Sequence, residues 1–406
     1  MITPSRAGMN RKRLLYLSGA LRVSTRPQAT VGGARSHVLG VMKAFENLHW
    51  QVCTYIAGDR VPLSWVTRRF DQESRSSLGK RIAADIIRLL CGYLSVFAAS
   101  WKCRRSDWVY ERCGSFQNLG SRCKKKGVPW ILEVNALLYQ EAFLDRQAIY
   151  FYRLAKKKEL QAYRDCDALV CVSAGLKERI VAASGIDPLK IVVVPNGVDV
   201  DFFNPDTRPA KRFFKEPTIG FVGTMYRWQG LHLLLSALAS LPGDGCRPKL
   251  ALVGDGPELE NLRRQADALR LNADVHFSGR VDWQDTPACI AGFDIGFSGQ
   301  IGTETGDWYG SPIKIYEFLA MRKPVIASAF EDARRVIVDG RTGYLFSPGD
   351  LSALRDSLQT AFKEKEKWPE MGWLARNEIE RSCSWTERVR SMIPSIEGIL
   401  RENGSL

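Results

Sequence analysis

The sequence predicts an α/β protein with two doubly wound parallel sheets that face each other across a cleft. Short apolar runs alternate with helical patterns, this alternation occurs twice, and a polar linker separates the two series. At 406 residues, of which 45% are hydrophobic and 25% charged, the chain suits two globular domains. The same composition excludes disordered, collagenous and multi-span membrane proteins.

The first series predicts six strands. They are continuous apolar runs, which are typical of parallel strands covered on both faces. These runs lie at residues 14–17, 52–56, 108–110, 130–132, 168–172 and 191–194. A helix follows the first run, because Val38, Val41 and Phe45 recur at helical spacing. Ser173 can cap another helix, which runs to about Ala183.

The second series begins after a polar stretch, residues 204–217, that is interpreted as a linker. Its predicted strands lie at residues 219–222, 250–253, 275–277, 295–297, 324–327 and 344–346. Parallel sheets bind ligands outside the carboxyl ends of their strands, so the cleft between the two sheets is the predicted site.

The net charge of +14 is unevenly distributed. The densest Lys and Arg clusters all lie in the first half, at residues 11–13, 102–105, 122–126 and 156–158. Each cluster on its own also suits an ordinary solvated surface. Together they favour a polyanionic partner, which includes nucleic acid, an anionic membrane and anionic small substrates.

Between these clusters lies an apolar stretch, residues 78–100. Asp85 and Arg88 interrupt it, and the uncharged part before Lys102 is shorter than the ~20 residues that a membrane span needs. We therefore expect a core or interfacial helix whose flanking Lys and Arg residues can meet phospholipid headgroups. Residues 1–9 contain no apolar run, so no leader is expected. The ten cysteines are scattered without metal-ligand spacing, which indicates a reduced cytosolic protein without a metal site.

Two glycine-containing turns are candidate phosphate sites. Gly32 and Gly33 precede the first helix, and Gly223 and Gly230 bound the first strand–helix turn of the second series. Glycine lets the backbone approach a ligand, and a helix N-terminus offers N–H groups to phosphate. Arg227 lies in the second turn and can pair with a diphosphate, although each feature alone also suits an ordinary surface turn.

Residues 309–317 form the strongest candidate segment. A Gly-Ser pair precedes Pro312, a favoured first helical residue, so backbone N–H groups should point outward there. Lys314 adds a positive charge, and Glu317, one turn later, can accept hydrogen bonds from vicinal hydroxyls. Alternatively, these two side chains form a surface pair on an amphipathic helix.

Taken together, these segments resemble glycosyltransferase family 4, retaining enzymes of the GT-B architecture. The resemblance rests on the order and spacing of segments that cover most of the chain, namely the Gly-Gly loop before His37 and residues 167–173, 194–203, 253–257, 277–281, 311–321 and 323–328. It implies two Rossmann-like domains, an acceptor-binding domain over residues 1–204 and a nucleotide-sugar-binding domain over residues 205–386. It also implies that a C-terminal helix, residues 387–406, packs back onto the first domain after Trp385.

The resemblance implies roles for the segment 309–317. Glu317 matches the second glutamate of the family's Glu-x7-Glu motif, which binds the donor ribose. The first glutamate, which touches the sugar, is replaced here by Tyr309, and Glu304 or Asp307 are its candidate substitutes. The backbone that would hold the sugar and the phosphates is that of Gly310, Ser311, Pro312 and Ile313.

Two loop positions that are often arginine and lysine in the family read Thr224 and Gln229 in this chain. Arg227 and Lys314 are therefore the candidates for the positive charge that faces the phosphates.

The nucleotide base would lie beside Arg280 and Val281, largely through their backbone. Asn135 stands where many relatives have a histidine near the reacting sugar, and it can hydrogen-bond a sugar hydroxyl or the acceptor but cannot act as a base. No nucleophile is assigned, because the family is thought to substitute on one face of the sugar without a covalent intermediate. The nearby carboxylates are Glu111, Glu133 and Glu141.

The sequence thus predicts a retaining glycosyltransferase that moves a sugar from a nucleotide diphosphate to a glycan or lipid-linked acceptor, in cell-surface polysaccharide or glycolipid biosynthesis. Fixed hydrogen-bond donors would stabilise the departing diphosphate, so neither a metal nor a cofactor is expected besides the nucleotide sugar. The expected location is the cytoplasm, with peripheral contact at the anionic inner face of the membrane and no nucleic-acid partner. Two alternatives stay open: a sugar-nucleotide epimerase of the same fold, and a basic protein that binds anionic lipid or nucleic acid.

Overall fold

The computed structural model describes residues 11–29, 32–67, 78–144, 147–241, 247–302, 306 and 308–405. It contains two six-stranded parallel sheets flanked by helices, as predicted. The strands of the first sheet are β1 (Arg13–Ser18), β2 (Gln51–Ile56), β3 (Trp108–Arg112), β4 (Trp130–Val134), β5 (Ala168–Cys171) and β6 (Ile191–Val193). Those of the second sheet are β7 (Thr218–Val222), β8 (Lys249–Val253), β9 (Val275–Gly279), β10 (Ile295–Ser298), β11 (Val325–Ser328) and β12 (Gly343–Phe346).

The helices alternate with these strands. Those of the first half are α1 (Gly33–Asn47), α2 (Leu63–Thr67), α3 (Leu78–Lys102), α4 (Ser121–Lys124), α5 (Leu138–Phe143), α6 (Tyr152–Asp165) and α7 (Ala174–Ser184). Those of the second half are α8 (Leu231–Ala239), α9 (Leu259–Ala268), α10 (Thr286–Ala291), α11 (Ile313–Ala320), α12 (Glu331–Val336), α13 (Leu351–Lys363), α14 (Trp368–Ser382) and α15 (Trp385–Glu402). The predicted cap of α7 is confirmed, since the Ser173 hydroxyl accepts a hydrogen bond from the Leu176 backbone N–H. The residues on which the expectation of no leader rested lie outside the described part of the chain.

Each sheet is covered on both faces, because successive side chains of a strand point to opposite sides. In the first sheet, Leu15 and Leu17 face a layer that includes α3, α6 and α7, whereas Leu14 and Tyr16 face α1 and α15. In the second sheet, α8, α9 and α13 pack on one face and α10, α11 and α12 on the other. The central strands are buried apolar runs, which explains why their positions could be read from the sequence, whereas the edge strands β2, β6 and β9 are only partly buried.

Each sheet has one topological switch point, where the strand order reverses direction across the sheet. The strand order is β2-β1-β3-β4-β5-β6 in the first sheet and β12-β11-β10-β7-β8-β9 in the second. The crevices beyond the carboxyl ends of β1/β3 and of β7/β10 are therefore the expected ligand positions.

The chain returns to the first sheet at its C-terminal end. Val198, after β6, pairs with Ser384, and Trp385 opens α15, which packs along α1. The Trp385 ring lies edge-on to the His37 ring, with centroids 4.6 Å apart. Gly40 of α1 leaves room for the indole, because a Cβ at this position would lie 2.2 Å from the Trp385 Nε1 atom.

We expect Gly40→Ala to destabilise the protein, because the new methyl group displaces the Trp385 indole from a close-packed position. The free energy of unfolding should fall by about 1–3 kcal/mol, as measured by urea denaturation. Gly398→Ala is the matched control on α15, since a Cβ there meets nothing within 4 Å. It should raise stability by about 0.5–1 kcal/mol. Equal effects of the two substitutions would contradict the packing described here.

Candidate active site

A cavity of about 330 Å³ lies between the two halves of the chain. Gly40 and Lys43 line it from α1, Ile313 and Glu317 from α11, and Trp385 from α15. Its walls therefore come from helices and loops of both halves of the chain, as the sequence predicts for a cleft site.

The loop before α11 is fixed from both halves of the chain. The Ser311 hydroxyl donates to the Asp332 carboxylate at 2.8 Å and accepts from the Asn196 backbone N–H at 3.0 Å. The prediction that Pro312 is the first helical residue is wrong. Its ψ of 108° is extended, so Pro312 is the N-cap and the helix begins at Ile313.

Lys314 is buried, and its amine points to the turn after β7. Nζ donates to the Gln229 side-chain oxygen at 2.7 Å and lies 3.9 Å from the centroid of the Phe221 ring. It also lies against Gly223, where a Cβ would be 3.5 Å from Nζ. Burial lowers the pKa of Lys314 to about 7. The Lys314 amine therefore lies beside Gln229, at the position where the family often has a lysine.

Glu317 lies one turn further along α11 and lines the cavity. Burial raises the pKa of its carboxyl to about 7, and the nearby Lys314 opposes this shift. Within the described residues its carboxylate has no hydrogen-bond partner. Glu317 and Lys314 are therefore not the surface ion pair that the sequence left as an alternative.

Tyr309 packs on the first half of the chain. Its backbone carbonyl accepts a hydrogen bond from Ser173 Oγ at 2.5 Å, and the Arg179 guanidinium lies 4.7 Å from its ring centroid. Its hydroxyl lies 3.4 Å from Glu141 Oε1. The candidate substitutes for the missing glutamate, at positions 304 and 307, lie outside the described residues.

The Gly-Gly loop meets the loop before α11 across the cleft. Gly32 is the N-cap of α1, and Gly33 is its first residue. A Cβ on Gly33 would lie 3.7 Å from the Ile313 Cδ1 atom, whereas one on Gly32 meets nothing within 4 Å.

The turn after β7 is closely packed on its neighbours. Gly230 has a φ of 70°, and a Cβ there would lie 2.0 Å from the Gly299 carbonyl oxygen, so only glycine fits. Arg227 is exposed, and its guanidinium is 3.9 Å from the Glu258 carboxylate. The Trp228 ring stacks on Trp308, at 4.6 Å between centroids, which ties this turn to the loop before α11. The sequence analysis missed this stack.

Arg280 and Val281 directly follow β9, at the same edge of the second sheet as the turn after β7. The Gly254 backbone N–H donates to the Gly279 carbonyl at 2.9 Å, which places the end of β9 beside the end of β8. Arg280 is exposed, whereas Val281 packs partly on the core.

A buried polar network lies behind the cleft and contains the predicted residue Asn135. The His37 ring has Nδ1 2.8 Å from Asn196 Oδ1 and Nε2 2.7 Å from Glu133 Oε1. Asn196 Nδ2 donates to the Ser311 carbonyl at 2.5 Å, so its Oδ1 is an acceptor. Both His37 nitrogens therefore face side-chain oxygens.

The Glu133 carboxylate holds this network together. Burial alone would raise its pKa, but His37 and Arg112 outweigh burial and lower the pKa to about 2. Arg112 Nη1 donates to Oε1 at 2.8 Å, and Asn135 Nδ2 donates to the same oxygen at 2.7 Å. The sequence analysis gave His37 and Asn196 no role; the one signal was their place in two segments that carry the family resemblance.

Known proteins match the chain along nearly all of its length. A family model described as Glycosyltransferase Family 4 matches residues 31–202, and one described as Glycosyl transferases group 1 matches residues 204–377. The phosphatidyl-myo-inositol mannosyltransferase of Mycobacterium leprae is 32% identical over 215 residues, which are 53% of this chain and 55% of that protein. An uncharacterized glycosyltransferase of Methanocaldococcus jannaschii is 24% identical over 274 residues, 66% of this chain and 67% of that protein. The chain thus spans between about half and two thirds of the length of these relatives.

Among solved structures, HepE of Anabaena in complex with UDP and glucose superposes with a TM-score of 0.64. The alignment covers 98% of this chain and 100% of that one at 18% identity, which establishes a shared fold. One family model covers five of the six strands of the first sheet and the other covers all six of the second, so the chain belongs to glycosyltransferase family 4, as a glycosyltransferase with the GT-B fold.

Proposed function

We propose that this glycosyltransferase moves a sugar from a nucleotide diphosphate to a glycan or lipid-linked acceptor with retention of anomeric configuration. The observation that carries the proposal is the arrangement of Lys314 and Glu317 on one turn of α11. Within the described residues, the buried Lys314 amine has an amide as its partner and no carboxylate at salt-bridge distance. A buried amine of this kind suits an anionic ligand, and the Glu317 carboxylate beside it suits vicinal hydroxyls.

The diphosphate would lie at the carboxyl end of β7, where Gly223 and Gly230 bound the turn. Lys314 and the backbone around Gly310 would stabilise the negative charge that develops as the diphosphate leaves, because donors fixed in advance need not reorganise. Arg227 is exposed at the same turn and would add a second positive charge.

The ribose, the base and the sugar of the donor would contact residues from both domains. Glu317 would bind the ribose, and the base would lie beside Arg280 and Val281. Gly33 faces Ile313 from the other domain, and Gly32 and Gly33 would cover the sugar and the phosphates. Together these contacts would exclude water and limit hydrolysis of the donor.

The environment of two of the three nearby carboxylates, Glu133 and Glu111, argues against either of them as a nucleophile and supports substitution without a covalent intermediate. Glu133 is held by His37, Arg112 and Asn135. Glu111 is buried and accepts hydrogen bonds from two backbone N–H groups. Neither carboxylate can reach a sugar in the cleft without breaking these contacts, so Asn135 would act by hydrogen-bonding the sugar or the acceptor.

The proposal also covers the class of acceptor and the location of the enzyme in the cell. One relative is named as a mannosyltransferase of phosphatidyl-myo-inositol, a lipid. A lipid-linked or glycan acceptor of a cell-surface pathway fits this likeness and the basic first domain. We propose a cytoplasmic enzyme at the inner face of the membrane that uses the nucleotide sugar without a metal or further cofactor.

The purified protein should release nucleoside diphosphate from at least one nucleotide sugar in a panel of UDP- and GDP-linked donors. Release should increase when a lipid-linked acceptor extract is added, because the acceptor takes up the sugar. A coupled assay for UDP and GDP measures this. Absence of release with every donor, both with and without acceptor, would overturn the proposed activity.

Glu317→Ala should weaken binding of the productive nucleotide sugar by about 10- to 100-fold, since it removes a charged hydrogen-bond acceptor. Isothermal titration calorimetry measures the Kd. Glu46→Ala is the matched control, because Glu46 lines the same cavity from α1 and has no proposed contact with the donor. An equal loss in both variants would show that Glu317 does not bind the ribose.

Affinity for the nucleotide sugar should be greatest near pH 7. Above this pH the Lys314 amine loses its proton and its attraction for the diphosphate, so affinity should fall by up to ~10-fold per pH unit. Below it the Glu317 carboxylate gains a proton and accepts hydrogen bonds less well. The intact sugar nucleotide is the right ligand, because its diphosphate diester does not titrate in this range. Lys314→Met should abolish the alkaline decline and Glu317→Gln the acid decline; unchanged profiles in both variants would refute the assignment.

A further inference from the structure

Helix α3 is oriented with its apolar side outward. Its fully buried residues are small or polar, namely Asp85, Gly92, Ser95, Ala99 and Ser100, and Leu89 and Val96 pack against the core beside them. Its exposed residues are large and apolar: Trp101 is 80% exposed, Leu94 67% and Tyr93 65%. A helix of a soluble domain normally shows the opposite arrangement.

Hydrogen bonds fix this orientation. The buried Asp85 carboxylate accepts from the backbone N–H groups of Tyr150 and Phe151, at 2.8 and 2.9 Å, and pairs with Arg88. The Tyr55 hydroxyl donates to Ser95 at 3.0 Å. Turning the apolar side inward would bury large side chains where Gly92 and Ala99 now fit. It would also break the contacts of Asp85, so the outward apolar side is a stable feature of the fold.

The exposed side chains form one continuous stripe. They recur at steps of three and four residues, which places them on one side of the helix over about four turns. The stripe consists of Ile86, Leu90, Tyr93, Leu94, Phe97 and Trp101. Contiguous apolar surface of this length marks an interaction site rather than scattered surface residues.

Positive charge surrounds the C-terminal half of the stripe. The Arg122 guanidinium of α4 lies 3.9 Å from the centroid of the Phe97 ring. Lys102, Arg104 and Arg105 follow Trp101 directly and are exposed, as is Lys125. Residues 78–126 contain eleven Lys and Arg against three Asp and Glu, and two of those carboxylates, Asp85 and Glu111, are buried.

We propose that the stripe of α3 inserts into the interface of an anionic lipid bilayer, with the helix lying in the plane of the membrane. The apolar side chains would enter the acyl region while the surrounding Lys and Arg bind headgroup phosphates. Tyr93 and Trp101 are side-chain types that favour this interface. The inference rests on the proposed function only in the choice of a lipid surface as the partner.

The same observations argue against two other arrangements. By length and composition the helix Leu78–Arg105 would suit a membrane span. A membrane-spanning α3, however, would have Asp85 in the hydrocarbon region and would lose its packing on the first sheet. Pairing of the stripe with that of a second copy of this chain would bring two sets of positive charges together, which costs free energy.

Co-sedimentation with vesicles tests the proposal, on the full-length protein without donor or acceptor. Wild type should bind vesicles of phosphatidylcholine mixed with phosphatidylglycerol, and binding should weaken as salt rises. The combined variant Leu90→Gln, Leu94→Gln, Trp101→Gln should reduce the partition coefficient by ~10-fold or more. Its matched control is Leu189→Gln with Trp373→Gln, two residues outside α3 that are 76% and 56% exposed and whose replacement should leave binding unchanged.

A second variant separates charge from apolar contact. Arg104→Gln, Arg105→Gln and Lys125→Gln together should remove the preference for phosphatidylglycerol, because they remove positive charge beside the stripe. The fold should be kept, since these side chains hold no hydrogen bonds within the described residues. Thermal unfolding confirms that every variant is folded.

Three results would overturn the proposal. They are absence of wild-type binding, binding that the α3 variant leaves unchanged, and a wild-type dimer that the same variant converts to a monomer. Because no sugar is transferred in these experiments, they fail independently of the proposed activity.

Discussion

The Glu133 carboxylate is the buried charge around which the cleft is built. It lies at the end of β4 with a pKa near 2, held by His37 on one side and Arg112 on the other. A buried carboxylate without such partners would be protonated or would destabilise the fold. Because His37 belongs to α1 and Arg112 ends β3, the charge fixes the distance between that helix and the first sheet. Asn135 is held by the same carboxylate, so the one polar side chain expected near the sugar is positioned by it too.

The same constraint extends into the second domain through Asn196. Its side chain accepts from His37 and donates to the Ser311 carbonyl, and its backbone N–H donates to the Ser311 hydroxyl. Ser311 in turn donates to Asp332, which also accepts from Tyr316. The loop that precedes α11 is therefore positioned by both domains at once. These contacts hold the loop in one position although it contains the small residues Gly310 and Ser311.

Much of the fold could be predicted because burial dictates it: most strands are apolar runs covered on both faces, and the runs alternate with amphipathic helices. Contacts between distant segments could not be predicted in this way. Tyr309 stands where the family resemblance places a glutamate that touches the sugar, yet it packs on Ser173 and Arg179 of the other domain. The outward side of α3 could not be inferred either. Its sequence is apolar, and the hydrogen bonds that Asp85 accepts from the backbone of residues 150 and 151 decide which side faces the protein.

Two features of the described residues each reduce the stability of the protein. Burial of the Lys314 amine beside an amide favours the neutral form, and exposure of Leu94 and Trp101 forgoes the free energy of burying them. A diphosphate would offset the first cost and an anionic bilayer the second. The two lie in different domains, the amine in the donor half and the apolar stripe in the other. A soluble donor would then bind in the half that holds the amine, and a membrane-anchored acceptor would meet the half that carries the stripe.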